Sequence, residues 1–351
     1  MLNGLTLSID AMGGDNAPDI VVKGIEYFLT NEGEGRRARF QLHGDAALLA
    51  PLLDGAPRTR ERSEVFHTEK TISMDDKPSH ALRKGKDSSM WNAVASVKGG
   101  MAGIAVSAGN TGALMAMSKL QLRTKKGVQR PAIAASWPNL SGEMTVVLDV
   151  GANVECDAAQ LTEFAILGEA YFRAVFGKEN PSVGLLNVGT EEGKGNTIIK
   201  AAHERLSQSQ LGLNYIGFVE GNNISSGDVD VVITDGFTGN IALKTAEGTA
   251  KLISTFFSQA LNDNLWSKFT TALNIVALRK LKKKMDPRRA NGGVFLGLNG
   301  IVVKSHGGTD HIGYANALNI AMGLAESDFQ NAIDERLDAL HDEDDNIGFI
   351  A

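Results

Sequence analysis

An α/β fold, a mostly parallel sheet with helices on both faces, is predicted by three features of this sequence. Short apolar runs of strand length alternate with helix-length segments along nearly all of the 351 residues. Polar and glycine residues cluster where one apolar run after another ends. Thirty-nine glycines stand against only 6% aromatic residues, a balance suited to tight strand-to-helix turns.

The first strand is Leu5–Asp10, where Leu5, Leu7 and Ile9 alternate with Thr6 and Ser8. It runs into Asp10-Ala11-Met12-Gly13-Gly14-Asp15-Asn16-Ala17-Pro18, two glycines among carboxylates and an amide. Those glycines let the backbone turn sharply and approach a ligand. Pro18 suits the first turn of the helix expected over Ile20–Leu29, and Asp15 or Asn16 suits its cap. A second strand follows at Arg39–His43. The polar stretch Leu53–Asp76, with Arg58, Arg60 and Arg62, reads as a surface connection.

Ile104–Ser107 is the next strand, opening into Ala108-Gly109-Asn110-Thr111-Gly112-Ala113 and a helix over Thr111–Leu120. Thr145–Asp149 opens into Gly151-Ala152-Asn153, with a helix at Leu161–Phe176. Ser182–Leu186 opens into a loop with glycines at 189, 193 and 195 around Lys194, then Asn196 and a helix over Thr197–Leu206. Val229–Asp235 opens into Asp235-Gly236-Phe237-Thr238-Gly239-Asn240 and a helix at Ile241–Leu261. In a parallel sheet such turns gather beyond the carboxyl ends of the strands, so all five loops are expected on one rim.

Leu265, Phe269, Leu273 and Val276 fall at helical spacing beside Trp266, and Arg279, Lys280, Lys282, Lys283, Lys284, Arg288 and Arg289 follow. In a chain of net charge -6 this is a local reversal of sign, fit for a helix end, an acidic partner or an anionic membrane. The expected organisation is one catalytic domain over 1–341, with a basic helical excursion at about 262–290 and an acidic tail at 342–351.

Composition excludes several classes. The acidic balance and scarce aromatics argue against nucleic-acid binding. Cys156 is the single cysteine, so no intrachain disulfide forms, and its acidic neighbours Glu155 and Asp157 disfavour a thiolate. No stretch reaches the roughly 20 apolar residues of a spanning helix, and no signal-peptide pattern opens the chain, so a cytoplasmic protein is expected.

The loops suggest the chemistry. Backbone N–H groups freed by glycine, with Lys194 as a point charge, suit phosphate oxygens. The spacing is neither a Walker A loop nor a dinucleotide fingerprint, and there is no nucleophile elbow. His306, after Val303-Lys304-Ser305 at the end of an apolar strand, is a functional candidate or a loop-bonded histidine. Its proximity to Asp310 and His311 imitates a metal cluster without metalloprotease spacing, and no metal is expected. Asn240 and Asn110 suit helix caps equally well.

Taken in order, Asp10–Pro18, Ser107–Ala113, Asp149–Asn153, Gly189–Asn196, Asp235–Asn240 and Gly297–Gly307 closely resemble the bacterial acyl-ACP:phosphate acyltransferase (PlsX) family of phospholipid synthesis. The resemblance implies a three-layer α/β/α Rossmann-like core, related to phosphate acetyltransferases and the isopropylmalate dehydrogenase type. It implies transfer of a long acyl chain from acyl carrier protein to inorganic phosphate, giving an acyl phosphate for a downstream membrane acyltransferase. A cytoplasmic homodimer, peripheral membrane contact and no organic cofactor are also implied. Under it, Lys194, Asp235, Lys304 and His306 are the expected catalytic groups. Lys194, Gly193, Gly195 and Asn196 would hold phosphate, while Lys304 and His306, oriented by Asp235, would stabilise charge and protonate the leaving thiol. Asp10, Gly13, Gly14, Asp15, Asn16, Asn110, Thr111, Gly112, Asn153, Thr238, Gly239 and Asn240 complete the expected pocket. Arg279–Arg289 would meet the acidic carrier, and Leu265, Trp266 and Phe269 lipid or a second copy. A short-chain enzyme using acyl-CoA and a peripheral membrane scaffold are the alternatives.

Overall fold

The computed structural model describes residues 5–31, 38–264, 266, 271, 274, 276, 278, 288 and 291–348, with 262 and 341–348 by their backbone alone. The chain runs β1 (Thr6–Asp10), α1 (Asp19–Asn31), β2 (Arg39–Gly44), α2 (Ala46–Asp54), α3 (Pro57–Arg62), β3 (Ser63–His67), α4 (Pro78–Lys84) and α5 (Ser89–Lys98). It continues through β4 (Ile104–Ser107), α6 (Thr111–Leu122), β5 (Ala132–Pro138), β6 (Met144–Leu148), α7 (Ala158–Phe176), β7 (Ser182–Leu186), α8 (Thr197–Gln208), β8 (Asn214–Val219) and α9 (Asn223–Ser226). The remaining elements are β9 (Val231–Ile233), α10 (Gly236–Asn262), β10 (Gly293–Leu296), β11 (Ile301–Lys304), α11 (His311–Glu326) and α12 (Phe329–Gly348).

All these strands join one sheet in the order β3-β2-β1-β4-β11-β10-β5-β6-β9-β7-β8. Alternation along each strand feeds two cores. Ile104, Val106, Ile301, Val303, Val146 and Leu148 pack into one, while Ala105, Val302 and Val147 pack into the other. Burial on both faces is what makes these strands nearly continuous apolar runs, and it gives the three layers that the sequence predicts.

The sheet is mostly but not wholly parallel. β3, β2, β1, β4 and β11 are mutually parallel, and so are β6, β9, β7 and β8. Between these sets β10 and β5 pair antiparallel with their neighbours, and three antiparallel steps reverse the direction. Strand direction therefore reverses between the two sets.

Other differences are local. The stretch expected as a surface connection contains α3 and the edge strand β3, whose half-exposed residues leave no apolar pattern. α10 begins at Gly236, five residues before its expected start, because Asp235 caps it: Thr238 N donates to Asp235 Oδ1 at 2.7 Å. The backbone of α12 carries on to Gly348, through the acidic residues from 342. Leu265, Phe269, Arg279, Lys280, Lys282, Lys283, Lys284 and Arg289 lie outside the described residues.

Candidate active site

The chain visits β1, β2 and β3 outward in one direction and then returns to place β4 on the other flank of β1. In open α/β sheets the crevice beyond such a switch point is where ligands bind. Here it is framed by the loops after β1, β4 and β11.

Register brings three polar residues into one row. Asp10 pairs with Ser107 and Ser107 with Lys304, so their side chains leave the sheet on the same face. Ser107 Oγ donates to Asp10 Oδ2 at 2.6 Å and accepts from Gly109 N at 3.0 Å. Asp10 is 1% exposed, and burial pushes its carboxyl above the usual range against the pull of Ser107, Ser89 and Lys304. Lys304 is 9% exposed, and its ammonium donates to Ala108 O at 3.3 Å and to Ser305 O. Burial lowers its pKa to about 8, although Asp10 and Asp15 favour the charge; Lys244 on α10 lowers it further. The result is a cation held in a dry setting beside two acids, an arrangement typical of functional sites.

Glycines close this edge tightly. A Cβ on Gly13 would stand 2.3 Å from Asp10 Oδ2 and 2.8 Å from Gly109 N. Gly14, at φ 111°, lies against Ala108 and Gly307, and Asp15 N donates to Gly307 O at 3.0 Å. His306 is exposed here, with Nδ1 accepting from Gly308 N at 3.2 Å. Thus Asp10, Gly13, Gly14, Asp15, Lys304 and His306 are together. Asn16 O takes the Ile20 amide at the start of α1.

Asn110 does more than expected. Its Oδ1 caps α6 at Ala113 N, 2.9 Å away, while Nδ2 donates to Met74 O at 2.7 Å and Asp76 O at 2.9 Å. The 73–76 turn is thereby strapped over the crevice, with Met74 reaching Gly307. Sequence reasoning missed this strap, since nothing local links Asn110 to residues nearly forty positions earlier. Thr111 starts α6, and Gly112 gives room to Pro78.

The loops after β6 and β9 are tied together by hydrogen bonds. Asp149, fully buried, accepts from the amides of Ile133, Gly151, Ala152 and Asn153 and from Asn153 Nδ2. Burial raises its pKa and these donors pull it back. Asn153 Nδ2 also donates to Pro131 O at 2.9 Å, so both hydrogens of its amide are used within the fold. Gly239 passes so near Asp149 O that a Cβ would lie 1.9 Å away, and Asn240 faces Gly151. Asp149 was absent from the sequence candidates, though an aspartate ending a buried strand before a glycine also marks Asp10.

Asp235 takes both the amide and the hydroxyl of Thr238, and among the described residues no hydrogen bond joins it to Lys304 or His306. In the Gly189–Asn196 loop, Asn196 Oδ1 caps α8 at Ile199 N, 2.9 Å away. Lys194 and Gly193 are exposed, while Gly195, at φ 89°, packs on Asn187. Among the described residues no ion pair joins Lys194 to Asp10 or Asp15. Cys156 is buried, and its thiol is pushed up to about 12 by burial and by Asp149 and Asp235. Asp310 caps α11 and pairs with Arg288 at 2.9 Å, so its carboxylate serves the fold. No described helix is long and apolar enough to cross a membrane.

Comparison with known proteins adds the family. Residues 5–332 match the model described as "Fatty acid synthesis protein". The phosphate acyltransferase of Maricaulis maris is 57% identical over 334 residues, covering 95% of each chain. That of Paramagnetospirillum magneticum is 52% identical, covering 96% of this chain and 95% of the relative. Among solved structures, a phosphotransacetylase from Streptococcus pyogenes superposes with a TM-score of 0.60 at 16% identity, covering 92% of this chain and 94% of that one, a likeness of fold.

Proposed function

Since the chain belongs to the phosphate acyltransferase family of fatty acid and phospholipid synthesis, we propose that it transfers a long-chain acyl group from acyl carrier protein to inorganic phosphate. The product is an acyl phosphate, passed to a membrane acyltransferase for phospholipid synthesis. The observation that carries the reaction is Lys304, a buried cation at the switch-point crevice beside Asp10, Asp15 and the exposed His306.

Phosphate is an anionic nucleophile at neutral pH, so no enzyme adduct is required, and the buried thiol of Cys156 offers none. A phosphate oxygen bonds to the thioester carbonyl carbon, and the carbonyl pair moves onto its oxygen. Lys304 neutralises that oxygen anion, a contribution of roughly 3–4 kcal/mol for one well-placed donor. Collapse breaks the carbon–sulfur bond, and His306 gives the departing sulfur its proton. The glycine turns at Gly13–Gly14 and Gly109 admit the reactants closely, which converts an encounter into an oriented attack.

Phosphate is placed here on the Lys304 edge. The exposed Lys194 among three glycines favours a second placement, at Gly193–Asn196 after β7. The basic run Arg279–Arg289 is assigned to the acidic carrier. Apolar Leu252, Phe256, Phe257 and Trp266, all exposed, suit contact with lipid or with a second copy in a homodimer working in the cytoplasm. His306→Ala tests the chemistry: turnover is expected to collapse, and wild-type turnover across pH would remove the proton-donor role.

A further inference from the structure

The chain returns from the basic excursion to the sheet at Asn291, a side chain only 9% exposed. Its Nδ2 donates to Gly313 O at 2.6 Å and to Ser305 Oγ at 2.9 Å. Its Oδ1 accepts the backbone N–H of His306 at 2.8 Å. A carbonyl can only accept and a main-chain amide can only donate, so the two ends of the side-chain amide are assigned without ambiguity. Its own main-chain oxygen takes Asn316 Nδ2 at 3.0 Å.

Asn291 therefore joins the exit of β11 to two turns of α11, by its side-chain amide to Gly313 and by its main-chain oxygen to Asn316. The fit is close: a Cβ on Gly313 would stand 2.1 Å from Thr309 Oγ1 and 3.5 Å from Asn291 Nδ2. Arg288, three residues earlier, pairs with the cap of α11. His306 N–H and Lys304 sit on either side of Ser305, and the bonds from Asn291 fall on Ser305 and His306 alone in that strand end.

We propose that Asn291 is a positioning residue for acyl transfer, whose amide sets the backbone of Ser305–His306 against α11 and so fixes where the His306 ring and the Lys304 ammonium stand. This rests on Lys304 and His306 being the reacting groups. Its two halves, geometry and consequence, are separately measurable.

The test compares Asn291→Ala and Asn291→Asp with the intact chain. Asp keeps the oxygen that accepts from His306 N–H; Ala keeps nothing. In Asn291→Ala, hydrogen exchange of the His306 amide is expected to speed by about tenfold or more while amides of β1 and β4 keep their rates. In Asn291→Asp the His306 amide is expected to stay slow. With carrier thioester and phosphate as substrates, kcat of Asn291→Ala is expected to fall by about 10–100-fold with little change in the KM for phosphate. Unchanged His306 exchange in Asn291→Ala overturns the geometric half. Wild-type kcat in Asn291→Ala, where His306→Ala is inactive, overturns the positioning role, as does loss of activity only in proportion to loss of folded protein by thermal melting. Wild-type turnover in His306→Ala instead fells the underlying function, leaving the exchange result to judge the geometry alone.

Discussion

Lys304 gives the sharpest prediction, because its burial and its chemistry pull in opposite directions. Its pKa is lowered from 10.5 to about 8, which at about 1.4 kcal/mol per pKa unit disfavours the charged form by about 3 kcal/mol. Catalysis by a cation then fails early on the alkaline side. At pH 9 a group titrating near 8 is about one-tenth protonated, whereas an ordinary lysine is almost wholly charged. Measured as kcat/KM for the phosphate dianion, which reports the free enzyme, the rate is expected to drop about tenfold from pH 7 to pH 9. Lys304→Arg, which stays charged, is expected to lose rate at neutral pH but to flatten that alkaline limb. Stability moves the other way. The native pKa lies below the unfolded one, so the unfolded chain binds more protons between about 8 and 10.5, and this group's contribution rises with pH through that window. Below about pH 8 its cost is fully present. Lys304→Met is therefore expected to cut kcat by about 10²–10³-fold without lowering urea stability at pH 7. A rate flat to pH 10, or a Met variant active but less stable, would refute the account of this residue.

Three further outcomes follow from the same geometry. Gly13→Ala forces a methyl onto Asp10 and the Gly109 amide, and urea unfolding is expected to show a loss of about 1–3 kcal/mol together with lost turnover. Glu163, nearly buried, is raised by burial to about 7. The native state then holds its proton between about 4.5 and 7 while the unfolded state releases it, so stability falls as pH rises through that window. Glu163→Gln keeps an acceptor for Gln129 N and is expected to gain about 1–2 kcal/mol at pH 8 and almost nothing at pH 4. Lys194→Ala is expected to leave phosphate saturation unchanged; a raised apparent constant would move phosphate to the Gly193–Asn196 loop.

How far the sequence spoke depended on burial and distance. Ile104–Ser107 and Ser182–Leu186 were legible to the residue because both are buried apolar runs ended by polar turns. The edge strands Ser63–His67 and Asn214–Val219 were not, since exposure on an edge removes the need for apolar residues. Reversal of the second half-sheet was invisible for another reason. The antiparallel strands that cause it are the alanine-rich β5 and the four-residue β10, and the loops after β6, β7 and β9 look locally like those after β1 and β4. At the site, Asp10, the glycines and Lys304–His306 were legible as strand ends. Asn291 and the strap under Asn110 were not, because their partners are distant in sequence and their chemistry is that of any asparagine.

In the proposed reaction phosphate takes an acyl group from a carrier-protein thioester. Offering the purified chain phosphate with acyl-[acyl carrier protein] and with acyl-CoA side by side, and following both thioester loss and acyl phosphate, tests it directly. Phosphate-dependent acyl phosphate from the carrier-bound thioester is the predicted result; formation from acyl-CoA alone, or carrier binding without turnover, would contradict it.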